Sequence, residues 1–318
     1  MADSRRLKIL SGNSNPELAK KVAEHLGVPL TSAEIKRFND GESFVRINEN
    51  VRGADVFIVQ STSNPANDHL MELLLMIDAL RRSSAERVTA VVPYYGYARQ
   101  DRKDSPRTPI SARLVADLLE SAGADRVFSL DLHAPQIQGF FKIPVDHLFA
   151  APVLLAEMKK LLGDRKEIVL ISPDAGSVER TRAFAKRLEC PMAVVDKRRS
   201  GAGQVAEVKI IGDVAGKEAI MIDDLIDTAG TLTEVAKALK EIGKAHAIWA
   251  VATHGVLSPP ALERIEQSPI EKVLITDTIA MGSKALDSKK VRVLSVAGLL
   301  ASGIERIHNK DSVSELFV

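Results

Sequence analysis

The sequence has little cysteine and almost no excess of charge, and both facts exclude classes of protein. Cys190 is the single cysteine among 318 residues, which excludes an intrachain disulfide framework and any metal site built from several cysteines. We interpret it as a small residue packed near a strand. The 43 lysines and arginines are balanced by 42 aspartates and glutamates, for a net charge of +1. We therefore expect no nucleic-acid partner, because no overall positive field exists to attract one.

Long apolar runs are also missing. The most apolar candidate helix, Leu70–Leu80, contains Glu72 and Asp78 and is too short and too charged to span a bilayer. Met1–Leu10 carries three basic residues but lacks the apolar stretch of a secretory signal. We therefore expect a cytoplasmic protein that does not associate with a membrane.

The composition and pattern of the chain predict an α/β protein. Hydrophobic residues make up 45% of it and charged residues 27%, a balance typical of a globular protein with a core. Short β-branched runs alternate with amphipathic stretches, which predicts mainly parallel sheets flanked by helices. The predicted strands are Leu7–Leu10, Asp55–Val59, Arg87–Val92, Arg126–Leu130, Ile168–Ile171, Ala193–Val195, Ala219–Ile222, Ala247–Val251 and Val273–Ile275. The predicted helices are Pro16–Leu26, Asp68–Arg82, Ser111–Ala122, Val153–Leu162, Val178–Leu188, Thr231–Ile242 and Pro259–Ile265.

The two halves of the chain repeat each other in order and pattern. Lys8–Ser11 opens the first half as Val169–Ser172 opens the second, and later strands follow in matching order. A length of 318 residues also suggests two domains. We therefore predict two similar domains, 1–150 and 151–318, with the last helix packing back on the first domain.

A strand in the second half ends in a group of residues suited to a sugar phosphate. Asp223 and Asp224 stand at the strand end, where carboxylates can accept hydrogen bonds from a diol such as that of ribose. A turn containing Gly230, followed by a helix start, offers backbone amides to a phosphate, and Thr228 and Thr231 add hydroxyl donors. The alternative is helix capping, but one cap needs only one such residue. We therefore predict a ribose 5-phosphate site here.

Several segments resemble one family. Asp223–Leu232 resembles the signature shared by phosphoribosyltransferases and ribose-phosphate pyrophosphokinases. Pro93–Lys103, Phe38–Glu42 and Asp131–Phe141 resemble the pyrophosphokinases' ATP-binding segments, and Asp196–Arg199 is similar to their mobile catalytic loop. By this resemblance the chain is identified as a member of the class I, bacterial-type pyrophosphokinases. An ordinary phosphoribosyltransferase would be shorter and would lack the first half.

The resemblance implies a reaction and an assembly. The implied reaction transfers the β,γ-pyrophosphoryl group of ATP to the C1 hydroxyl of ribose 5-phosphate, giving phosphoribosyl pyrophosphate and AMP for nucleotide biosynthesis. Mg²⁺ is the implied cofactor. The implied assembly is a homohexamer in which Phe38–Glu42 reaches the ATP site of a neighbouring subunit. Phosphoryl-type transfer requires mainly positioning and charge stabilisation, and no residue is predicted as a general base.

The resemblance also assigns roles to individual residues. The implied ATP-binding residues are Phe38, Asp40, Gly41, Glu42, Arg99, Gln100, Asp101 and His133. The implied ribose 5-phosphate-binding residues are Arg199, Asp223, Asp224, Asp227, Thr228, Ala229, Gly230 and Thr231. Lys197 and Arg199 are the implied catalytic residues, on a basic lid whose alternative is a β-hairpin with solvated charges. His133 and Asp174 are the implied metal ligands.

One departure and three alternatives accompany this prediction. The family commonly has two adjacent glycines where this chain has Gly176 and Ser177. The Ser177 side chain is expected either to crowd a phosphate or to cap the following helix. The alternative functions are a non-catalytic regulatory relative, a phosphoribosyltransferase, and a sugar kinase that moves only the γ-phosphate.

Overall fold

Strands and helices alternate along most of the chain. The structure is a computed structural model that describes residues 6–165, 167–201 and 204–317. The side chains of residues 197–201, 204–207 and 317 are outside this description. The chain divides into two units. Unit 1 contains the residues up to Ala150, Thr278–Ala280 and the residues from Ser295 onward; unit 2 contains Ala151–Asp277 and Met281–Leu294.

The first 150 residues form one parallel sheet and one antiparallel ribbon. The strands are β1 (Leu7–Ser11), β2 (Ala33–Arg37), β3 (Ser43–Ile47), β4 (Asp55–Val59), β5 (Arg87–Val92), β6 (Arg126–Leu130) and β7 (Val145–Leu148). The helices are α1 (Pro16–Leu26), α2 (Ala66–Arg82) and α3 (Ser111–Ala122), with a 3₁₀ helix at Pro135–Phe140. The sheet has the order β1-β4-β5-β6-β7, and β2 pairs with β3 as a ribbon.

Unit 2 repeats this strand order. Its helices are α4 (Ala151–Leu162), α5 (Val178–Leu188), α6 (Gly230–Glu241), α7 (Ala261–Glu266) and α8 (Ser283–Leu286). Its strands are β8 (Ile168–Ser172), β9 (Met192–Gly201), β10 (Gln204–Ile211), β11 (Glu218–Ile226), β12 (Ala247–Gly255), β13 (Lys272–Thr276) and β14 (Val291–Leu294). The sheet has the order β10-β9-β8-β11-β12-β13-β14. The run β8-β11-β12-β13-β14 corresponds to β1-β4-β5-β6-β7, as the repeat between the halves predicts.

Apolar burial explains why the central strands form. All five residues of β4 are buried, as expected for a strand covered on both faces of a parallel sheet. On α2, the fully buried residues Leu73, Met76, Ile77 and Leu80 follow the i, i+3, i+4, i+7 spacing of a helix face that packs on a core. None of the described helices combines the length and apolar character that a membrane span requires.

The last helix, α9 (Ala297–Asn309), belongs to unit 1. The sequence prediction included a last helix that packs on the first domain but gave it no bounds. A Cβ on Gly303 would lie 2.5 Å from Cζ of Phe128 on β6, so only glycine allows this approach of the helix to the sheet. The end of α9 also joins a buried ionic network. Nδ1 of His308 and Nε of Arg87 each lie 2.7 Å from a carboxylate oxygen of Asp55, which is fully buried.

The prediction missed β2, β3, β7, β10, β14 and α8, which are short elements, solvent-facing elements, or both.

Candidate active site

Three acidic side chains meet at the carboxyl ends of two adjacent strands of unit 2. Asp223 and Asp224 lie near the end of β11, and Asp174 follows the end of β8 by two residues. The two strands pair in parallel, with Met221 opposite Ile171, so their carboxyl ends share one edge of the sheet, where open α/β sheets bind ligands. We call Asp174, Asp223 and Asp224 the acidic cluster.

One carboxyl of the acidic cluster has a raised pKa. Burial, followed by the negative charges of Asp224 and Asp174, raises the pKa of Asp223 to about 7. Nη1 of Arg180, on α5, lies 3.3 Å from Oδ1 of Asp224 and gives that carboxylate a positive partner. The backbone N–H of Asp224 donates to Oδ1 of Asp223 at 2.9 Å. The cluster is therefore a set of oxygen acceptors whose charge is partly balanced within the protein.

The raised pKa of Asp223 predicts a pH dependence of stability. The unfolded carboxyl ionises near its ordinary pKa of 3.8, so between about pH 4 and pH 7 the folded protein binds more protons than the unfolded chain. This contribution to stability is complete below the unfolded pKa and is lost as pH rises through about 7. Relative to Asp223→Asn, which cannot ionise, the wild-type protein should therefore lose melting temperature between about pH 5 and pH 8. Thermal melts of both proteins in metal-free buffer test this, and parallel pH profiles would contradict it.

The predicted sugar-phosphate segment forms a loop between β11 and α6. Ala229 has a left-handed φ of 57° and precedes Gly230, the first residue of α6, and no side-chain hydrogen bond caps this helix start. Nη1 of Arg264, on α7, donates to the carbonyl oxygen of Thr228 at 2.9 Å. The side chains of Thr228 and Thr231 are exposed. The arrangement presents backbone amides and hydroxyl groups at a helix start, as an anion requires.

In the predicted ATP segment Pro93–Lys103, the backbone before Arg99 is held in place by buried residues. The hydroxyl of Tyr95 donates to the carbonyl oxygen of Ala112 at 3.0 Å, and burial raises the pKa of this phenol above its ordinary value. A Cβ on Gly96 would clash with the carbonyl oxygen of Thr62, so this position requires glycine. Arg99, three residues later, is exposed and lies on a firmly held backbone.

Two of the predicted ATP segments contact each other. Nε2 of Gln136 donates to Oδ2 of Asp101 at 3.0 Å, which joins the segment after β6 to the segment after β5. The neighbouring Gln100 is exposed, and its side-chain oxygen accepts a hydrogen bond from the Ser111 hydroxyl at the start of α3. Gln100 and Asp101, after β5, therefore share one polar surface with Gln136, after the adjacent strand β6.

His133 is exposed, and the backbone before it is held by two contacts. The carboxylate of Asp131 accepts from the backbone N–H of Ala150 at 2.7 Å. Nε2 of the buried His147 accepts from the backbone N–H of Leu132 at 2.9 Å. His147 is a supporting residue that the sequence did not reveal. His133 belongs to unit 1 and Asp174 to unit 2.

Phe38, Asp40, Gly41 and Glu42 share a tight turn between β2 and β3. The backbone N–H of Phe38 donates to the Glu42 carbonyl at 2.8 Å, Oδ1 of Asp40 accepts from the Glu42 N–H at 3.0 Å, and Gly41 has a φ of 96°. The Phe38 ring is 46% exposed, with its centroid 5.5 Å from that of Phe44. The turn therefore presents an exposed aromatic ring beside two carboxylates.

The backbone of Lys197 and Arg199 lies in β9, paired antiparallel with β10: Lys197 opposes Val208, and Arg199 opposes Val205. The two strands have the antiparallel pairing of a β-hairpin, and the lid role of this segment stays a prediction. The side chains of both predicted catalytic residues, together with residues 202 and 203, are outside the described part of the chain.

Ser177 makes a contact that the sequence prediction did not include. Its hydroxyl donates to Oδ1 of Asp223 at 3.0 Å, and it makes no side-chain cap at the start of α5, so the expected capping role is wrong. Arg180 and Arg264 were also missed, because each sits on an ordinary amphipathic helix where nothing in the spacing marks it. Within the residues that the structure describes, no three His, Cys, Asp or Glu side chains are grouped to hold a metal ion.

Fold and site together describe an α/β protein with a loop that presents anion-binding donors at a helix start, beside an acidic strand end. The family model for the N-terminal domain of ribose phosphate pyrophosphokinase matches residues 7–123, and that for the phosphoribosyl synthetase-associated domain matches residues 199–318. The ribose-phosphate pyrophosphokinase of Caldanaerobacter subterraneus subsp. tengcongensis is 58% identical over 313 residues, which cover 98% of each chain. That of Agrobacterium fabrum is 56% identical over 98% of this chain and 100% of its own.

A solved structure gives the same result. The crystal structure of phosphoribosylpyrophosphate synthetase from Mycobacterium smegmatis matches with a TM-score of 0.91 at 43% identity, covering 96% of this chain and 100% of that chain. The chain belongs to the ribose-phosphate pyrophosphokinase family. These comparisons confirm the family that the motifs predicted. They also confirm the predicted α/β fold.

Proposed function

We propose that this protein transfers the pyrophosphoryl group of ATP to the C1 hydroxyl of ribose 5-phosphate, a cytoplasmic step of nucleotide precursor synthesis. The main support for this proposal is the sequence identity to ribose-phosphate pyrophosphokinases along nearly the whole chain. The sugar-phosphate loop alone would also serve a phosphoribosyltransferase. The match of residues 7–123 to the pyrophosphokinase N-terminal domain supports the ATP-dependent reaction.

The acceptor binds in the C-terminal domain, residues 151–318. The backbone amides of the segment Asp227–Thr231 hold the 5-phosphate at the start of α6, with the exposed hydroxyls of its two threonines as further donors. The ribose diol donates to Asp223 and Asp224, whose closeness to each other is supported by the raised pKa of Asp223. Arg199 completes this set.

ATP binds in the N-terminal domain, residues 1–150. Arg99 provides positive charge for the phosphates, beside the polar surface of Gln100 and Asp101. The turn Phe38–Glu42 serves the adenine, and its exposed ring and carboxylates suit contact with the ATP of a neighbouring subunit. We therefore propose a homohexamer of the class I, bacterial type with shared ATP sites.

Mg²⁺ is the proposed cofactor, with Asp174 as a protein ligand, and the role of His133 as a second ligand stays a prediction from the family resemblance. Mg²⁺ usually takes one or two carboxylates and completes its coordination with substrate phosphates and water. Asp174 fits this pattern as an oxygen donor beside the acidic cluster, and no cage of three side chains is needed. When bound, the ion neutralises phosphate charge, and Lys197 and Arg199 stabilise the charge that develops on the transferred group.

The reaction balances without a further reactant. The C1 oxygen of ribose 5-phosphate bonds to the β-phosphorus, and the bond from that phosphorus to the oxygen bridging the α-phosphorus breaks. AMP leaves with the bridging oxygen, and the C1 hydroxyl proton is released.

The nucleotide product tests this proposal. Incubation with ATP, ribose 5-phosphate and Mg²⁺ should produce AMP in step with phosphoribosyl pyrophosphate, measured by ion-exchange chromatography. Omission of ribose 5-phosphate is the control and should stop AMP formation. ADP as the product would indicate a sugar kinase instead. ATP binding without turnover would indicate a regulatory relative.

A further inference from the structure

We propose that Ser177 is a positioning residue that orients the ribose-binding carboxylate of Asp223 relative to Asp174. The inference rests on the proposed function. Ser177 is only 6% exposed. Its backbone N–H donates to Oδ1 of Asp174 at 2.9 Å, and its hydroxyl donates to Oδ1 of Asp223 at 3.0 Å. One residue therefore contacts both the proposed metal ligand and the proposed diol acceptor.

The backbone of Ser177 is fixed by the first turn of α5. Its carbonyl oxygen accepts from the backbone N–H of Thr181 at 2.9 Å and from the Thr181 hydroxyl at 2.8 Å. The hydroxyl of Ser177 does not cap its own helix and instead donates to Asp223 on the neighbouring strand β11. A donor on a fixed backbone can hold the acceptor carboxylate in one orientation.

The effect on Asp223 follows from the geometry at a single oxygen. Oδ1 of Asp223 accepts from both the Ser177 hydroxyl and the backbone N–H of Asp224. Two donors from different directions restrict rotation of the carboxylate. Glycine at position 177 would keep the backbone contact to Asp174 and lose only the hydroxyl contact to Asp223. The side-chain contribution can therefore be separated from the backbone contribution.

The predicted consequence is selective for one substrate. Without the hydroxyl, ribose 5-phosphate must order the Asp223 carboxylate as it binds, so its affinity falls. Because the contact orients a ground-state partner of the diol, we expect the KM for ribose 5-phosphate to change while kcat stays nearly constant. A net hydrogen-bond contribution of about 1 kcal/mol corresponds to about a fivefold change in an equilibrium constant, so we expect a rise in KM of about five- to tenfold.

The test compares Ser177→Ala, Ser177→Gly and Ser177→Thr with a matched control, Ser268→Ala. Ser268 lies in the same unit, is 9% exposed, and donates its hydroxyl to the Ile265 carbonyl at 2.8 Å. Alanine and glycine at position 177 should raise the KM for ribose 5-phosphate about five- to tenfold with the KM for ATP within about twofold. Threonine, which keeps a hydroxyl, should restore the affinity. Ser268→Ala should behave as wild type, and thermal melts establish that each variant is folded.

Calorimetric titration of ribose 5-phosphate without ATP, with and without Mg²⁺, makes the readout independent of turnover. If wild type forms AMP and Ser177→Ala keeps the wild-type KM, the positioning role is wrong and the proposed reaction stands. An equal rise in both KM values would also overturn the role. If wild type forms no AMP but binds ribose 5-phosphate more tightly than Ser177→Ala, the reaction is wrong and the positioning role stands. No AMP from wild type, together with no binding of ribose 5-phosphate to it, would overturn both.

Discussion

Replacing Asp224 by asparagine is expected to lower kcat/KM for ribose 5-phosphate by at least about a hundredfold without unfolding the protein. Asp224 is 5% exposed and lies 3.3 Å from Arg180. Asparagine keeps the shape but removes the negative charge and one acceptor oxygen, which leaves Arg180 without its charged partner and the proposed ribose site with one acceptor fewer. Loss of a hydrogen-bonding partner in a buried polar site lowers kcat/KM strongly, because the remaining polar group is left unpaired.

Steady-state kinetics with ribose 5-phosphate varied at saturating ATP measures this effect. Asp213→Asn is the matched control, because Asp213 makes a 2.9 Å ion pair with Lys217 in the same unit but has a 73% exposed side chain. We expect wild-type kinetics from the control. Wild-type kinetics from Asp224→Asn would show that this carboxylate is not part of the acceptor site.

Replacing Asp55 by alanine is expected to lower the free energy of unfolding by about 3–5 kcal/mol. Asp55 is fully buried and holds Arg87 and His308 at 2.7 Å each. Its removal leaves the Arg87 guanidinium in a largely buried place without a counter-charge. It also removes a contact between the sheet of unit 1 and the end of α9.

Urea unfolding followed by circular dichroism measures this change. Asp78→Ala is a suitable comparison, since Asp78 pairs with Arg82 at 2.7 Å on the exposed face of α2, where ion pairs contribute little. The effect of Asp55→Ala should be several times larger than that of Asp78→Ala. Similar effects in the two variants would contradict the importance of the buried network.

Much of the fold could be predicted from the sequence because the central strands are buried on both faces. Continuous apolar runs gave β4, β5 and β6 with the bounds that the structure shows. The ribbon of β2 and β3 was missed, since its strands carry charged side chains such as Lys36 and Arg46. The bounds of α9 were not predicted because Gly298 and Gly303 weaken its helical pattern, although Gly303 is required for packing against Phe128.

The site was predictable where its residues follow one another and not where they meet through the fold. The segment Asp223–Thr231 is continuous, so spacing and residue type were enough to predict a phosphate loop. Ser177 contacts Asp223 across 46 positions of sequence, and only the pairing of β8 with β11 brings them together. The raised pKa of Asp223 could not be predicted either, because it depends on burial and on two neighbouring carboxylates.

Pyrophosphoryl transfer requires that two phosphoryl groups of ATP move together to C1 of ribose 5-phosphate. The most direct measurement supplies ATP with radioactive phosphorus at either the β or the γ position, together with ribose 5-phosphate and Mg²⁺, and follows the label by chromatography. We predict that both labels appear in the sugar product and that AMP carries neither. Label transfer from the γ position alone, with the β label retained in ADP, would contradict pyrophosphoryl transfer.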